Sequence, residues 1–157
     1  MLLHAAASRT VASGLGDFSY GCLSFAFSGA FNWASLPRFV LAILLAAVVF
    51  ASFMMILQSL AFWIGTTSYI GGIGLTAMLT FAIYPISLFD AGSRLILFTL
   101  IPAALMGAVP AGFVRSFGWA TLVQLLVGAG VLLAIAVGVF YTGLKRYESG
   151  SGIQVEV

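Results

Sequence analysis

Between Arg38 and Asp90 the chain carries no charged residue: the 51 positions from Phe39 to Phe89 are uncharged and mostly apolar. A helix that crosses a bilayer needs about 20 such residues, within a range of about 17–25. The run is too long for one crossing and right for two joined by a tight connection. That connection is expected where helix propensity is weakest, at Gly65-Thr66-Thr67-Ser68, with Gly71, Gly72 and Gly74 close behind. One span is read at about 37–64. Pro37 suits a first helical turn, Ser35 is a candidate cap, and Phe62-Trp63 close the span with aromatics suited to a membrane interface. The next span is read at about 69–89 and closes with Tyr84-Pro85.

Composition fixes the class. Only 6% of the 157 residues are charged and 62% are hydrophobic, against roughly 25% charged in an average soluble domain. A water-soluble monomer of this size needs a polar surface that these residues cannot make. Disorder is excluded on the same ground, because disordered chains are poor in apolar residues. The chain is expected to be an all-α, polytopic helical membrane protein, read as a single membrane domain over 1–157.

Two more crossings are expected. Phe117 to Leu144 is uncharged and ends in Lys145-Arg146-Tyr147-Glu148, so a tilted span is read at about 117–144. Phe18 to Trp33 is apolar and rich in small residues, and a span is read at about 16–33. Residues 2–13 mix Leu2, Leu3 and Val11 with His4, Ser8 and Arg9, the pattern of a short interfacial helix. The tail, 149–157, is Gly/Ser-rich and expected to fray.

Leu95 to Val114 is also uncharged, yet it is not read as a straight crossing. Pro102 and Pro110 remove two backbone donors and bend the chain, with Gly107 and Gly112 beside them. Asp90 and Arg94 precede the stretch and Arg115 follows it. A broken element at 91–115 that enters and leaves on one face fits this better. Such backbone persists at membrane depth only where protein or a water-filled cavity covers it. The expected architecture is therefore four transmembrane helices plus one re-entrant element, with both termini on one side. Charge does not say which side: Arg9, Lys145 and Arg146 fall together, and Arg38, Arg94 and Arg115 oppose them.

The polar residues give little chemistry. Asp90 and Arg94 are four apart and would share a helix face, either as an interfacial ion pair or as a pin for the turn into the broken element. Arg115 reads as an anchor at the other foot rather than a ligand. Gly130, Ala134 and Gly138 recur every four residues, a spacing that lets helices approach closely. Asp90 is the sole carboxylate between Asp17 and Glu148, so no acid–base pair is available inside the membrane. His4 is the only histidine and Cys22 the only cysteine, which offers neither a disulfide nor a metal cluster. No cluster of Lys/Arg marks nucleic-acid binding. The only lysine, Lys145, is not part of a phosphate-binding glycine loop. No catalytic, cofactor or metal site is expected.

Several residue groups in order resemble a permease of the ABC-2 exporter class, in the six-span subfamily of ABC-2 family transporter proteins. They are Phe62-Trp63, Tyr84-Pro85-Ile86-Ser87, Ile101-Pro102-Ala103, Val109-Pro110-Ala111 and Gly143-Leu144-Lys145-Arg146-Tyr147-Glu148-Ser149, covering about residues 60–150. Ala7-Ser8-Arg9 and Gly14-Leu15-Gly16-Asp17 resemble the loop entering the family's third span. The resemblance implies that the four spans correspond to the family's third to sixth, its first two being absent. It implies a broken element on the outer face and a cytoplasmic C-terminus in the cell membrane. It also implies a role as half of an ATP-driven export pathway, powered by a separate cytoplasmic ABC ATPase subunit that binds the ATP, with a second permease subunit as partner. The rival reading is a small non-transport scaffold or assembly protein of the membrane.

Overall fold

The computed structural model describes residue 16 and residues 18–29, 31–65 and 68–151. The interfacial helix expected at 2–13 lies outside them, as does the end of the tail beyond Ser151. Every described element is helical, with no strand among the described residues. By its internal contacts the chain falls into two compact units, Met1–Pro37 and Arg38–Val157.

In the first unit, helix α1 runs Phe18–Phe27. It ends where the Ser28 hydroxyl and N–H both donate to the Phe25 carbonyl and Gly29 takes φ 71°. A helix of this length rises about 15 Å, half of a crossing. Phe31 meets both Phe25 and Trp33 edge-on. A 3-10 turn, Trp33–Ser35, follows, and its cap is Asn32 rather than Ser35. The Asn32 side chain accepts from the Ala34 N–H, and Ser35 Oγ accepts from the Asn32 N–H at 3.0 Å, a reciprocal capping box.

Helix α2, Leu36–Ser59, leads through Leu60 into α3, Ala61–Ile64. Gly65 closes α3 at φ 89°, a left-handed conformation that a β-carbon would strain. Helix α4, Ser68–Ile83, stops short of the expected end near 89. Pro85 has no N–H and disfavours helical geometry at the residue before it. The stretch to Leu88 closes as a 3-10 turn, Ile86–Leu88. Then come α5, Ala91–Thr99, α6, Ala103–Met106, α7, Ala108–Arg115, and α8, Trp119–Ser151. Lys145-Arg146 do not stop α8, which continues to Ser151.

Contacts fix the directions of the long helices in the second unit. Gly71 approaches Gln58 and Gly74 approaches Leu57, so α4 runs back along α2. Near its C-terminal end α8 meets α3: the Phe62 and Phe140 rings stand 5.9 Å apart, and Gly143 lies under Phe62 and Trp63. Halfway along, Val49 and Phe53 of α2 share a core with Met78 of α4, Leu105 of α6, and Ala129 and Leu132 of α8. Two contact levels in the same order make α2 and α8 parallel, with α4 antiparallel to both.

Outside this core the surface is apolar. Leu95, Leu100, Val127 and Val131 are among many large exposed hydrophobic side chains. Among the described residues two helical stretches, Trp33–Ile64 and Trp119–Arg146, are long and apolar enough to cross a bilayer, or three if the bent α5–α7 segment counts as one span. The chain is a helical membrane protein. Lipid is as apolar as these side chains, so the core is held by close dispersion contacts rather than by escape from water.

Candidate functional site

The broken segment has an irregular backbone, and α2, α4 and α8 pack against it. Its first foot is Asp90. The residue is not on the helix but caps it, at φ −68° and ψ 171°. Its carboxylate accepts from the Gly92 N–H at 3.1 Å and from the Ser93 hydroxyl. The Ser93 hydrogen bond, followed by the backbone N–H groups, holds the Asp90 pKa below the ordinary carboxylate value. Arg94 turns the other way, its Nε donating to the Phe89 carbonyl at 2.8 Å. Each residue therefore fixes the turn through its own local bond, and no ion pair joins them among the described residues.

Helix α5 then ends and the axis bends by 70° into α6–α7. Pro102 lies at that bend as the cap of α6, almost fully buried. Pro110 does not make a second break. It is the third residue of α7, where an N–H would have no helical partner, so proline is tolerated. The second discontinuity falls at Gly107, between α6 and α7. Arg115 forms the other foot, in the last turn of α7, exposed and without a polar partner among the described residues.

The tip is packed on three sides. Leu97, Ala103 and Ala104 form a buried cluster against Phe81 and Ala82 of α4 and Ile86 and Phe89 beyond it. Gly107 lies directly against the Ala82 backbone. Leu105 enters the central core and packs on Gly128 of α8, where a Cβ would stand 2.6 Å from Leu105 Cδ1. Protein covers this irregular backbone at the depth of the core, as an apolar surrounding requires.

The remaining candidates fall elsewhere. Trp63 is partly exposed and leans on Gly143. Gly130, Ala134 and Gly138 are all exposed, and a Cβ on Gly130 or Gly138 would meet nothing within 4 Å. The buried stripe of α8 is Leu125, Ala129, Leu132 and Ala136, roughly opposite.

Sequence reasoning names Gly107 and Gly143 without their packing roles and passes over Gln124. Gly107 and Gly143 show their roles only through neighbours distant in sequence. Gln124, the one amide in the run from Phe117 to Leu144, is legible as a polar group at membrane depth. It is exposed beside the broken segment. Among the described residues no group of three or more His, Cys, Asp or Glu side chains could hold a metal ion.

No curated protein and no solved structure matches the chain. A family profile described as ABC-2 family transporter protein matches residues 18–151, which takes in α1 through α8. The chain thus belongs to the ABC-2 family transporter proteins, as a membrane transport component of an ABC transporter distinct from its ATPase.

Proposed function

We propose that the chain is a permease subunit of an ATP-driven exporter and lines part of the translocation pathway. It would cross the membrane through α2, α4 and α8, with residues 91–115 as a re-entrant element; α1, at about 15 Å, is too short to make the crossing read at 16–33 by itself. What supports the permease reading is the family match over residues 18–151, and what supports the topology is the parallel course of α2 and α8 with α4 antiparallel to both. If α2, α4 and α8 each cross, the end of α4 and the start of α8 face the same side. The intervening segment then makes no net crossing. Neither limb is long enough to cross alone: α5 rises about 13 Å and α6–α7 about 20 Å, against a hydrocarbon core of about 30 Å.

The C-terminal end of α8, with Lys145 and Arg146, would lie in the cytoplasm, as the resemblance to the family's last span implies. A separate ATPase subunit docks on that side, and a second permease, identical or not, completes the pathway. The chain supplies no phosphate-binding loop, so the energy enters through the partner.

Two measurements test this. Single cysteines at Arg94 and Arg115, in a Cys22→Ser background, should react with an impermeant thiol reagent from one and the same side. Labelling from opposite sides would make 91–115 an ordinary broken span. A tagged full chain extracted in mild detergent should bring with it a vanadate-sensitive ATPase. Purification without any such activity would favour the scaffold reading.

A further inference from the structure

A groove of about 670 Å³ lies between the broken segment and the first half of α8. Phe98 of α5 and Leu105 of α6 form one wall, and Trp119, Val123 and Val127 of α8 the other. Gly128 admits Leu105 at the deep end. Trp119 opens α8 and is largely exposed, an indole suited to the headgroup boundary. Gln124 also lines the groove, five residues further along, about 7.5 Å deeper. Its amide has no hydrogen-bond partner among the described residues. An amide at that depth has no water to bond and needs an acceptor from whatever fills the groove. At the same end of α8, four residues before Trp119, the cation of Arg115 is also without a partner among the described residues.

With α8 crossing the bilayer from Trp119 inward, the order from the surface would be cation, indole, amide, apolar cleft, Arg115 standing outside the lining of the groove, just before α8. A glycerophospholipid presents the complementary order of phosphate, glycerol, ester carbonyl and acyl chain. We infer that the groove holds one acyl chain of an anionic phospholipid of the surrounding bilayer. Gln124 donates to the ester carbonyl and Arg115 holds the phosphate. The site would keep lipid wedged between the broken segment and α8 and so tie the position of that segment to lipid composition. The inference rests on the membrane placement of α8 but not on transport, and its test needs no ATPase partner.

The test uses the full chain with Trp119 as its only tryptophan (Trp33→Phe, Trp63→Phe), reconstituted in bilayers of zwitterionic lipid brominated on the acyl chains. Unbrominated anionic phosphatidylglycerol is then titrated in, and recovery of Trp119 fluorescence is followed. The expected recovery outruns the mole fraction, with a relative affinity of about fivefold for the anionic lipid, the size of one arginine–headgroup interaction. Arg115→Gln should bring the ratio to about one. Val127→Phe, at an exposed position, fills the groove and should abolish the excess recovery although Arg115 is still present. Gln124→Leu should weaken it without changing the volume of the groove much. Recovery in proportion to mole fraction, or excess recovery that survives Val127→Phe, would mean ordinary boundary lipid and overturn the inference. Absence of quenching by the brominated lipid would mean that protein covers the groove, and would overturn it equally.

Discussion

Gly107 lies so close to Ala82 that a Cβ added to it would fall inside contact distance of the Ala82 carbonyl oxygen. The obstacle is backbone, not the end of a flexible side chain, and it is the last turn of α4. Gly107→Ala must therefore push the broken segment away from α4. A cost of about 1–3 kcal/mol is expected, the usual range for overpacking, read as a lower melting temperature of the detergent-solubilised protein. Gly112→Ala, five residues on, meets nothing within 4 Å and should be neutral or slightly stabilising, since alanine favours helix over glycine.

The Asp90 cap should make the foot of α5 sensitive to acid. Its pKa is lowered in the folded chain, chiefly by the Ser93 hydroxyl. A depressed carboxylate contributes stability that is present above its unfolded pKa and is lost as the pH falls through the folded one. The window therefore begins at the ordinary aspartate range, about 4, and extends below it. Thermal unfolding compared at neutral pH and at about pH 3 should show a larger drop for the wild type than for Asp90→Asn. Asparagine caps a helix nearly as well but does not titrate. Identical drops would show that the Asp90 charge contributes nothing.

Ser52 offers the opposite sign. It is 2% exposed in α2 and its hydroxyl has no hydrogen-bond partner among the described residues. Ser59, two turns further along α2, donates to the Met55 carbonyl at 2.6 Å. A buried orphan hydroxyl costs about 1–3 kcal/mol, so Ser52→Ala should leave the protein as stable or raise its melting temperature. Ser59→Ala breaks a bond that is made and should be neutral or destabilising. A clear loss on Ser52→Ala would mean that the hydroxyl is bonded in the membrane.

The long helices are legible in the sequence because a bilayer imposes a length. An uncharged run of 51 residues with glycine near its middle leaves few ways to be divided, and the division falls at Gly65. Pro102 gives away one break in the 91–115 segment for a covalent reason, the missing N–H. The other break lies at Gly107 rather than Pro110, because only the contact with Ala82 distinguishes them, and that contact is tertiary. The short α1 is hidden for a related reason. Apolar composition from Phe18 to Trp33 does not show that Gly29 turns the chain or that Asn32 caps the next element. A pairing of Asp90 with Arg94 requires both to sit on one helix, and the cap places Asp90 outside it.

The rotational phase of α8 is the least readable feature. A surface helix in water shows its buried side by a polar opposite face. A helix in lipid is apolar all round, so by composition the row Gly130, Ala134 and Gly138 and the stripe Leu125, Ala129, Leu132 and Ala136 are equally fit to pack. The structure buries the second, with Ala136 at 0% exposure, while Ala134 lies on the open side. Ala136→Leu should force a larger side chain into the helix contact and cost about 1–3 kcal/mol. Ala134→Leu places the same side chain toward lipid, where leucine is well accommodated, and should leave the melting temperature unchanged. The two positions lie about half a helical turn apart on one helix, with the same change in volume and propensity, so only their surroundings differ. A loss at Ala134 as large as that at Ala136 would mean that the open face of α8 is itself packed against another helix in the membrane, and that burial on the Ala136 side alone does not set the rotation of α8.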